Sequence, residues 1–595
     1  MTAIFGSIGL SPSSHREMAE LLNHRGLHVA LEADGGVEFG GRYTERSNIA
    51  RGENCLVAIG GNPFEVAERS ERISIEAQDL AVRYRAAGAG ALRELNGHFA
   101  VAIWDLRRER LFLGRDPFGV CPLYVARGPN WLAFSTEYKA LLLLDGIDLT
   151  IDRDAVQRFM ASGWAPHGRT FFSAISQVPP GGVLVSTDDD ARIARIDVRR
   201  SSYQIPRADV PVSDVRDHVL HAIEGYSPDC GRRYGVMLSS GIDSAIITAA
   251  LRRRVVGDLN TFTVGYGQDD PEILGARQTA IATGTNHHEL IVRPHQLSSL
   301  LPETIRTMED PGGYDEFPCL FALHRKARNF VDVIFSGNVS DTLFASMSWH
   351  RRIWNEKHWP GAYLLYREFD QAEAEGRLPH GAIARLIWRA TRGAAWPAPC
   401  SVIDAAPLPR KTRSRHSPSP LLDELRSVLE RFDGRMGAQE MLAARWGLDF
   451  RMPYAERGLI DLALRIPDRQ KMNSRSGKLI FREAARQFLP PHFSRRPKRI
   501  QHLKYDAEMA DWIHSCRETV LSQEVVRSRN LISYDSLARA LDALRTTPNE
   551  VAFKRVWNAI ALEHWARIFL DSKPGSQPAS IGHDIVVSCQ QESTS

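Results

Sequence analysis

The stretch "RYGVMLSSGIDSAIITAALRRR", Arg233 to Arg254, changes its hydrophobic period part-way along. A short apolar run, "YGVML", is followed by a turn of small polar residues, "SSGIDS". A second apolar run, "AIITAAL", then continues with helical spacing. A strand that ends in small residues and feeds a helix leaves unpaired backbone N–H groups at the helix N-terminus, where an anion is attracted. The hydroxyls of Ser239, Ser240 and Ser244 are further donors, Gly241 permits close approach of the backbone, and Asp243 can reach a phosphate-bound Mg²⁺. The turn reads as a pyrophosphate cradle. No Gly-Lys-Ser/Thr follows it and it lacks the GxGxxG spacing, so it is neither a Walker loop nor a dinucleotide fingerprint. Taken alone, it is also compatible with a helix N-terminus dressed in polar residues.

The surrounding chain alternates in the same way. After "RYGVML" and the helix from Ser244 come "LNTFTVGY", a helix from Glu272, and "FVDVIFSG". Such alternation predicts a parallel sheet covered by helices. Upstream the pattern is different: "LNGHFAVAIWD" (Leu95–Asp105), "RLFLGRD" (Arg110–Asp116) and "WLAFST" (Trp131–Thr136) are short strands separated by Asn-Gly, Pro-Phe-Gly and Gly-Pro-Asn turns. This strand-rich part fades near "VPPGGVLVSTDDD" (Val178–Asp190) into a polar connection. The expected division is therefore 1–200 and 208–570, with a polar tail at 571–595 that reads as disordered. From about Trp354 the pattern is mostly helical, interrupted by a Pro- and Arg-rich stretch at 406–420.

Composition narrows the class. With 595 residues, 43% of them hydrophobic, the chain can bury more than one core, and a net charge of +4 over that length asks for no nucleic-acid partner. The basic run "PRKTRSRHSPSP", Pro409–Pro420, reads as a solvated loop. Seven cysteines are scattered without CxxC or metal-ligand spacing and read as reduced thiols of a cytoplasmic protein. No basic leader precedes an apolar stretch, and no run of about 18 apolar residues occurs, so neither export nor membrane insertion is expected.

Set in order along the chain, these segments resemble the asparagine synthetase group of the ATP-pyrophosphatase class. "SSGIDS" resembles that class's SGGxDS loop, with Ser240 in place of the first glycine. "ELNGHFAVAIWD" and "GRDPFGVCPLYV" are similar to "LNGMFAFAIWD" and "RDPFGVKPLYY", and "VPPGG" to the turn that closes the first domain. "FSGNVSDTLFAS" resembles SGEGSDELFGG, "LDFRMPYAERGLIDLALRIP" resembles vEaRvPFLD…lP, and "GKLIFREAARQFLP…RRPK" is similar to the family's late lysine segment. The resemblance implies an α/β fold: an N-terminal Ntn-hydrolase-like αββα sandwich, then an ATP-pyrophosphatase domain with a parallel sheet and a helical extension. It implies ATP and Mg²⁺, with the nucleotide held by Leu238, Ser239, Ser240, Gly241, Asp243, Ser244, Val264 and Gly337 and the metal by Asp243 and Asp341. It assigns catalysis to Asp341, Asn338 and Lys498, the last lying among Arg495, Arg496 and Arg499, which read as surface bases.

Two departures shape the functional expectation. Glutamine-dependent members begin Met-Cys-Gly-Ile-Phe-Gly with the cysteine as nucleophile, whereas this chain begins "MTAIFG". The family's glutamine-binding "NGEIYN" is replaced by "IGGNPFE", Ile59–Glu65. A threonine can act as nucleophile when its own amine is the base, but the loss of both features predicts a glutaminase that has been retired. In the second motif, Asn338 stands where asparagine synthetases have Glu and β-lactam synthetases have Tyr, and an amide cannot be a general base. A peptide α-amine, with a pKa of about 8, is partly neutral already and needs less help. The resemblance then favours a lasso peptide cyclase that joins an Asp or Glu side chain of a precursor peptide to its N-terminal amine. The partners this implies are the core peptide, a leader peptidase and a peptide-recognition protein, with no nucleic acid and no membrane. An ammonia-using asparagine synthetase relative, a β-lactam-synthetase-like ring closer and a non-catalytic nucleotide- or peptide-binding scaffold are the alternatives.

Overall fold

The computed structural model describes residues 2–10, 13–66, 72–165, 168–186, 191–194, 208–227, 231–358, 419–431, 435–496, 503, 505–546 and 548–572. The strand-rich first part forms two antiparallel sheets. One contains β1 (Thr2–Ile8), β2 (His28–Asp34), β3 (Val37–Tyr43), β9 (Tyr124–Arg127), β10 (Leu132–Ser135) and β11 (Ile175–Gln177) in the order β11-β9-β10-β1-β3-β2. The other contains β4 (Ile49–Arg51), β5 (Cys55–Val66), β6 (Arg72–Ser74), β7 (Asn96–Asp105), β8 (Arg110–Arg115), β12 (Val183–Ser186) and β13 (Ala191–Ala194), in the order β13-β12-β8-β7-β5-β4 with β6 paired to β5.

Alternating side chains fill both faces of these sheets, because a strand sends successive residues to opposite sides. Ile4, Phe39, Leu56, Ala58, Ala102, Leu113 and Phe134 pack between the sheets. Val57, Val101, Ile103 and Phe112 face outward, where Leu80 and Tyr84 of the helix Ala77–Ala87 cover them. On the far side Met18 of the helix Ser13–Leu21 covers Ala3 and Phe5. The result is an αββα sandwich. Its "RDPFG" turn is structural: Arg115 donates to the carbonyls of Cys121 (2.8 Å), Val178 (2.9 Å) and Gly119 (2.6 Å), which ties the turn to the "VPPGG" segment. The buried Asp116 carboxylate accepts from the N–H groups of Phe118, Val120 and Cys121.

The second part is built on a five-stranded parallel sheet. Its strands are β14 (Tyr234–Met237), β15 (Asn260–Gly265), β16 (Asn286–Ile291), β17 (Val333–Phe335) and β18 (Asp449–Arg451), in the order β16-β15-β14-β17-β18. The chain runs outward from β14 in one direction and then returns to β14's other edge with β17. The strand order therefore reverses between β14 and β17, and α/β sheets place ligands at such a reversal, beyond the C-terminal ends of the strands. The register Val236↔Phe335 sets the loops after these two strands side by side. The helix Ile242–Arg254 is buried all round from Ile242 to Leu251, as expected of a helix packed into the centre of the domain.

The C-terminal helix Glu550–Ala566 joins the two parts. Trp565 packs on Phe171 and Phe172 of the sandwich, with ring centroids 4.9 and 5.4 Å away, and its indole N–H donates to Tyr138 Oη at 2.9 Å. Of the helical stretch expected after Trp354, Ser348–His358 and Pro420–Arg431 are helices. Residues 359–418, with most of the basic run, and the tail from 573 lie outside the described residues.

His324 gives the core a pH dependence. It is fully buried in the helix Phe317–Ala327, neither ring nitrogen has a hydrogen-bond partner, and burial pushes its pKa down to about 3. The unfolded chain binds this proton below about pH 6.5 and the folded chain does not, so stability falls as pH drops from 6.5 towards 3. At pH 5 the cost from this residue is about 2 kcal/mol. Denaturant titrations of His324→Leu at pH 7.5 and 5 should show that part of the acid sensitivity removed.

Candidate active site

The loop after β14 is held from within. Ser244 Oγ accepts from the Ser239 N–H (3.0 Å) and pairs with Ser239 Oγ (2.9 Å), and Ser239 Oγ accepts from the Gly241 N–H (3.1 Å). The hydroxyls of Ser239 and Ser244, two of the donors expected from the sequence, thus also shape the loop. The helix that follows starts at Ile242 behind Gly241, which has no side chain to cap its first N–H groups, so its N-terminus is the part of the loop open to an anion.

Ser240, which occupies a family glycine position, is clamped from outside. Glu272 accepts from its N–H at 3.0 Å and also from its hydroxyl. Its side chain rests on Gly275, where an added Cβ would lie 2.5 Å from Ser240 Cβ. The extra side chain in the loop is thus accommodated by a missing one on the facing helix. Arg496 closes the clamp, donating to the carbonyls of Ser240 (3.3 Å) and Gly275 (3.0 Å) and to Thr279 Oγ1 (2.8 Å), with its guanidinium 4.1 Å from the centre of the Phe493 ring. Arg496 is therefore no ordinary surface base. Arg496→Ala should weaken ATP binding about tenfold, the loss expected for a hydrogen bond from a charged donor, with Arg496→Lys intermediate; calorimetric titration of ATP measures both.

The loop after β17 lies against the first. Gly337 packs so closely that an added Cβ would be 3.1 Å from both Asp243 Cβ and the Ser244 nitrogen. In the same loop Val339 has φ 78 and Ala345 has φ 58, at positions where the family motif has glycine. A β-branched residue in that region is strained by roughly 1–3 kcal/mol, so the loop holds this conformation against the preference of Val339. Asn338 donates through Nδ2 to Oε1 of Gln439, on the helix Arg435–Ala444. Leu238 and Val264 are buried at the ends of the central strands, the Leu238 N–H donating to the Phe262 carbonyl at 2.8 Å.

The two loops meet at a lysine that sequence reading passed over. Lys478 is buried, and its ammonium binds the carboxylates of Asp243 and Asp341 (2.6 Å to the latter) and Ser340 Oγ (3.1 Å). It sits just before the helix Leu479–Ala485 with φ 58, and the residue before it is Gly477, where a Cβ would collide with the Ala345 carbonyl at 2.1 Å. The structure thus brings Asp243 and Asp341 together around Lys478. Lys498 lies outside the described residues. The chain leading to it is fixed on this site, because Arg482 donates to the carbonyls of Gly477 (3.1 Å), Ser494 (2.6 Å) and Arg496 (2.9 Å). The signal for Lys478 was in the quoted segment "GKLIFRE", a lysine after glycine at the start of an apolar helix.

In the sandwich, the Thr2 hydroxyl accepts from the Gly61 N–H at 2.6 Å and lies 3.3 Å from the Gly61 carbonyl. The "IGGNPFE" segment is part of β5, paired with β7 from Ile59 to Phe64 and with β6 at Glu65. It also docks the second part: Asn62 donates to Asp449 at 2.9 Å, and Phe64 meets Tyr226 edge to face at 5.2 Å.

Residues 215–567 match the asparagine synthase family, and residues 73–196 match the glutamine amidotransferase domain. The chain belongs to the asparagine synthase family. Asparagine synthase homologues are ATP-dependent ligases that form amide bonds, and this enzyme is of that class. This asparagine synthase family chain is 25% identical to a Mycobacterium tuberculosis protein provisionally named asparagine synthetase (glutamine-hydrolysing), over 93% of each chain. It is 23% identical to asparagine synthetase (glutamine-hydrolysing) 1 of Bacillus subtilis, over 93% of this chain and 95% of that one. The human asparagine synthetase (glutamine-hydrolysing) is 27% identical over 42% of this chain and 45% of its own. No helix among the described residues is long and apolar enough to cross a membrane.

Proposed function

We propose that this family member activates a side-chain carboxylate of a peptide with ATP and closes a macrolactam with that peptide's N-terminal amine, releasing AMP and pyrophosphate. The observation that carries the reading is Asn338, whose amide is engaged with Gln439 at the position where a carboxylate base stands in asparagine synthetases. An acceptor that is partly neutral at neutral pH suits such a site. The Thr2 hydroxyl, tied to the Gly61 backbone in a segment that has become a docking strand, supports a first domain without glutaminase activity.

Asp243 and Asp341 fit Mg²⁺. Both carboxylates converge on one point, now held by the Lys478 ammonium, and Mg²⁺ takes one or two carboxylates with phosphate oxygens and water completing its shell. When bound, the ion would draw charge from the phosphate oxygens as pyrophosphate leaves. The N-terminus of the helix from Ile242 would receive the phosphates. Lys478 provides a fixed cation for charge that develops at the α-phosphorus, and we assign Lys498 the same role on the acyl side. The peptide carboxylate attacks the α-phosphorus, and the amine of the same bound molecule then displaces AMP. Holding both groups in one molecule gives the amine a high effective concentration. A leader peptidase and a peptide-recognition protein would supply the trimmed substrate.

Two assays test the reading. Glutamine should yield no glutamate above background, and Thr2→Ala should leave AMP formation unchanged. Ammonium should fail to replace the peptide amine. AMP formation from aspartate and ammonium at the peptide-dependent rate would favour the asparagine-synthetase-like alternative, and robust glutamine hydrolysis would show a working first domain.

A further inference from the structure

The sandwich reaches the synthetase loops through a buried chain of contacts. Arg25, 2% exposed, donates to Glu137 of its own domain and to Glu440 on the helix Arg435–Ala444. Glu137 also holds His24 (2.8 Å) and Lys139. The neighbour of Glu440 is Gln439, 3% exposed, and it accepts from Asn338 Nδ2. Asn338 in turn follows Gly337, which rests on Asp243. Stability alone is a poor reason for this chain, since removing charges from water costs several kcal/mol per ion unless every group is satisfied. Here Arg25 Nη2 and Glu440 Oε2 are buried without hydrogen-bond partners.

The contacts fix a direction. A side-chain amide has donors on one edge and an acceptor on the other. Because Gln439 Oε1 takes the Nδ2 of Asn338, the Asn338 Oδ1 is turned away from the helix Arg435–Ala444. A primary amine that attacks with its lone pair has N–H groups needing an acceptor, and a carbonyl oxygen orients them without removing a proton.

We infer that Gln439, held in place from the amidotransferase-type domain by the Arg25–Glu440 pair, is a positioning residue that makes Asn338 present Oδ1 to the attacking amine. The inference rests on the amide-forming reading of the site. In that step the amine nitrogen bonds to the acyl carbon and the acyl–oxygen bond to AMP breaks. AMP leaves with the electron pair, and the proton lost from nitrogen passes to water. The domain that no longer needs glutamine keeps a task, which is to set the acceptor side of the other site.

The test separates orientation from folding and from nucleotide binding. Gln439→Met keeps the size and loses the acceptor, Gln439→Glu keeps an acceptor, and Arg25→Met cuts the chain at its start. Hydrogen exchange of the segment 335–344, with MgATP as the only ligand, should rise about tenfold in Gln439→Met and Arg25→Met and stay near wild type in Gln439→Glu, as expected for one neutral hydrogen bond. With the core peptide, Gln439→Met should slow amide formation about tenfold at unchanged MgATP affinity and unchanged pyrophosphate exchange, with Gln439→Glu rescuing. Wild-type exchange in Gln439→Met, or amide formation at the wild-type rate, overturns the inference. Should Arg25→Met not fold, Gln439→Met decides alone. Exchange needs no acceptor, so if wild type closes no peptide the reading of the substrate fails while the coupling is still judged.

Discussion

Lys478→Met should lower AMP formation on the order of a hundredfold or more, the loss typical of one preorganised group facing transition-state charge, while MgATP still binds. The ammonium lies between the carboxylates of Asp243 and Asp341, at the junction of the two loops beyond β14 and β17. A contact that strengthens as charge develops lowers turnover more than affinity when it is lost. The same substitution leaves two carboxylates facing each other with no cation between them, and breaking a buried pair costs roughly 3–5 kcal/mol. Thermal melting should therefore fall sharply without metal and recover in part when Mg²⁺ is added, because an ion that binds only the folded state stabilises it. Lys478→Arg should rescue poorly, since a planar fork cannot occupy the place of a compact ammonium. A variant that melts like wild type and turns over at a similar rate would remove Lys478 from the site.

Asp243→Asn and Asp341→Asn should each reduce pyrophosphate release on the order of a hundredfold, with the protein folded, because in each case Lys478 keeps the other carboxylate as its partner. Neutralising either group removes half of the charge that would anchor Mg²⁺. The Mg²⁺ concentration for half-maximal rate should rise in both variants. The two should differ in detail. The Asp243 carbonyl accepts from Tyr454 Oη at 2.9 Å, a contact the side-chain change leaves intact, whereas Asp341 also holds Ser346 through its carboxylate. Asp341→Asn should thus loosen the residues around Ala345 as well. Single-turnover release of pyrophosphate against Mg²⁺ concentration measures both effects, and near-normal release in either variant would exclude that residue.

How far the site could be read from sequence depended on whether its logic is local. The strand, loop and helix from Tyr234 to Arg254 follow from a change of hydrophobic period within one short segment. The approach of Asp341 to Asp243 depends on β14 pairing with β17, about a hundred residues away, so only the order of family motifs revealed it. Lys478 was missed because a lysine reads as a surface residue until the carboxylates that bury it are placed, and in the same segment Lys498 was the lysine singled out. The three serine hydroxyls were legible as donors, but the pairing of Ser239 with Ser244 and the bond from Ser240 to Glu272 were not. Asn338 could be recognised as unable to act as a base, yet Gln439, which orients it, carries no signal outside the fold. Arg496 looked like one of several basic residues, and only its contacts with Ser240 and Gly275 set it apart.

The most direct measurement is mass analysis of a core peptide after incubation with the enzyme and MgATP, with AMP counted in the same reaction. The peptide should become lighter by one water and resistant to carboxypeptidase beyond the ring, with one AMP formed per peptide closed and no dependence on glutamine. An unchanged peptide alongside asparagine made from aspartate and ammonium would contradict this.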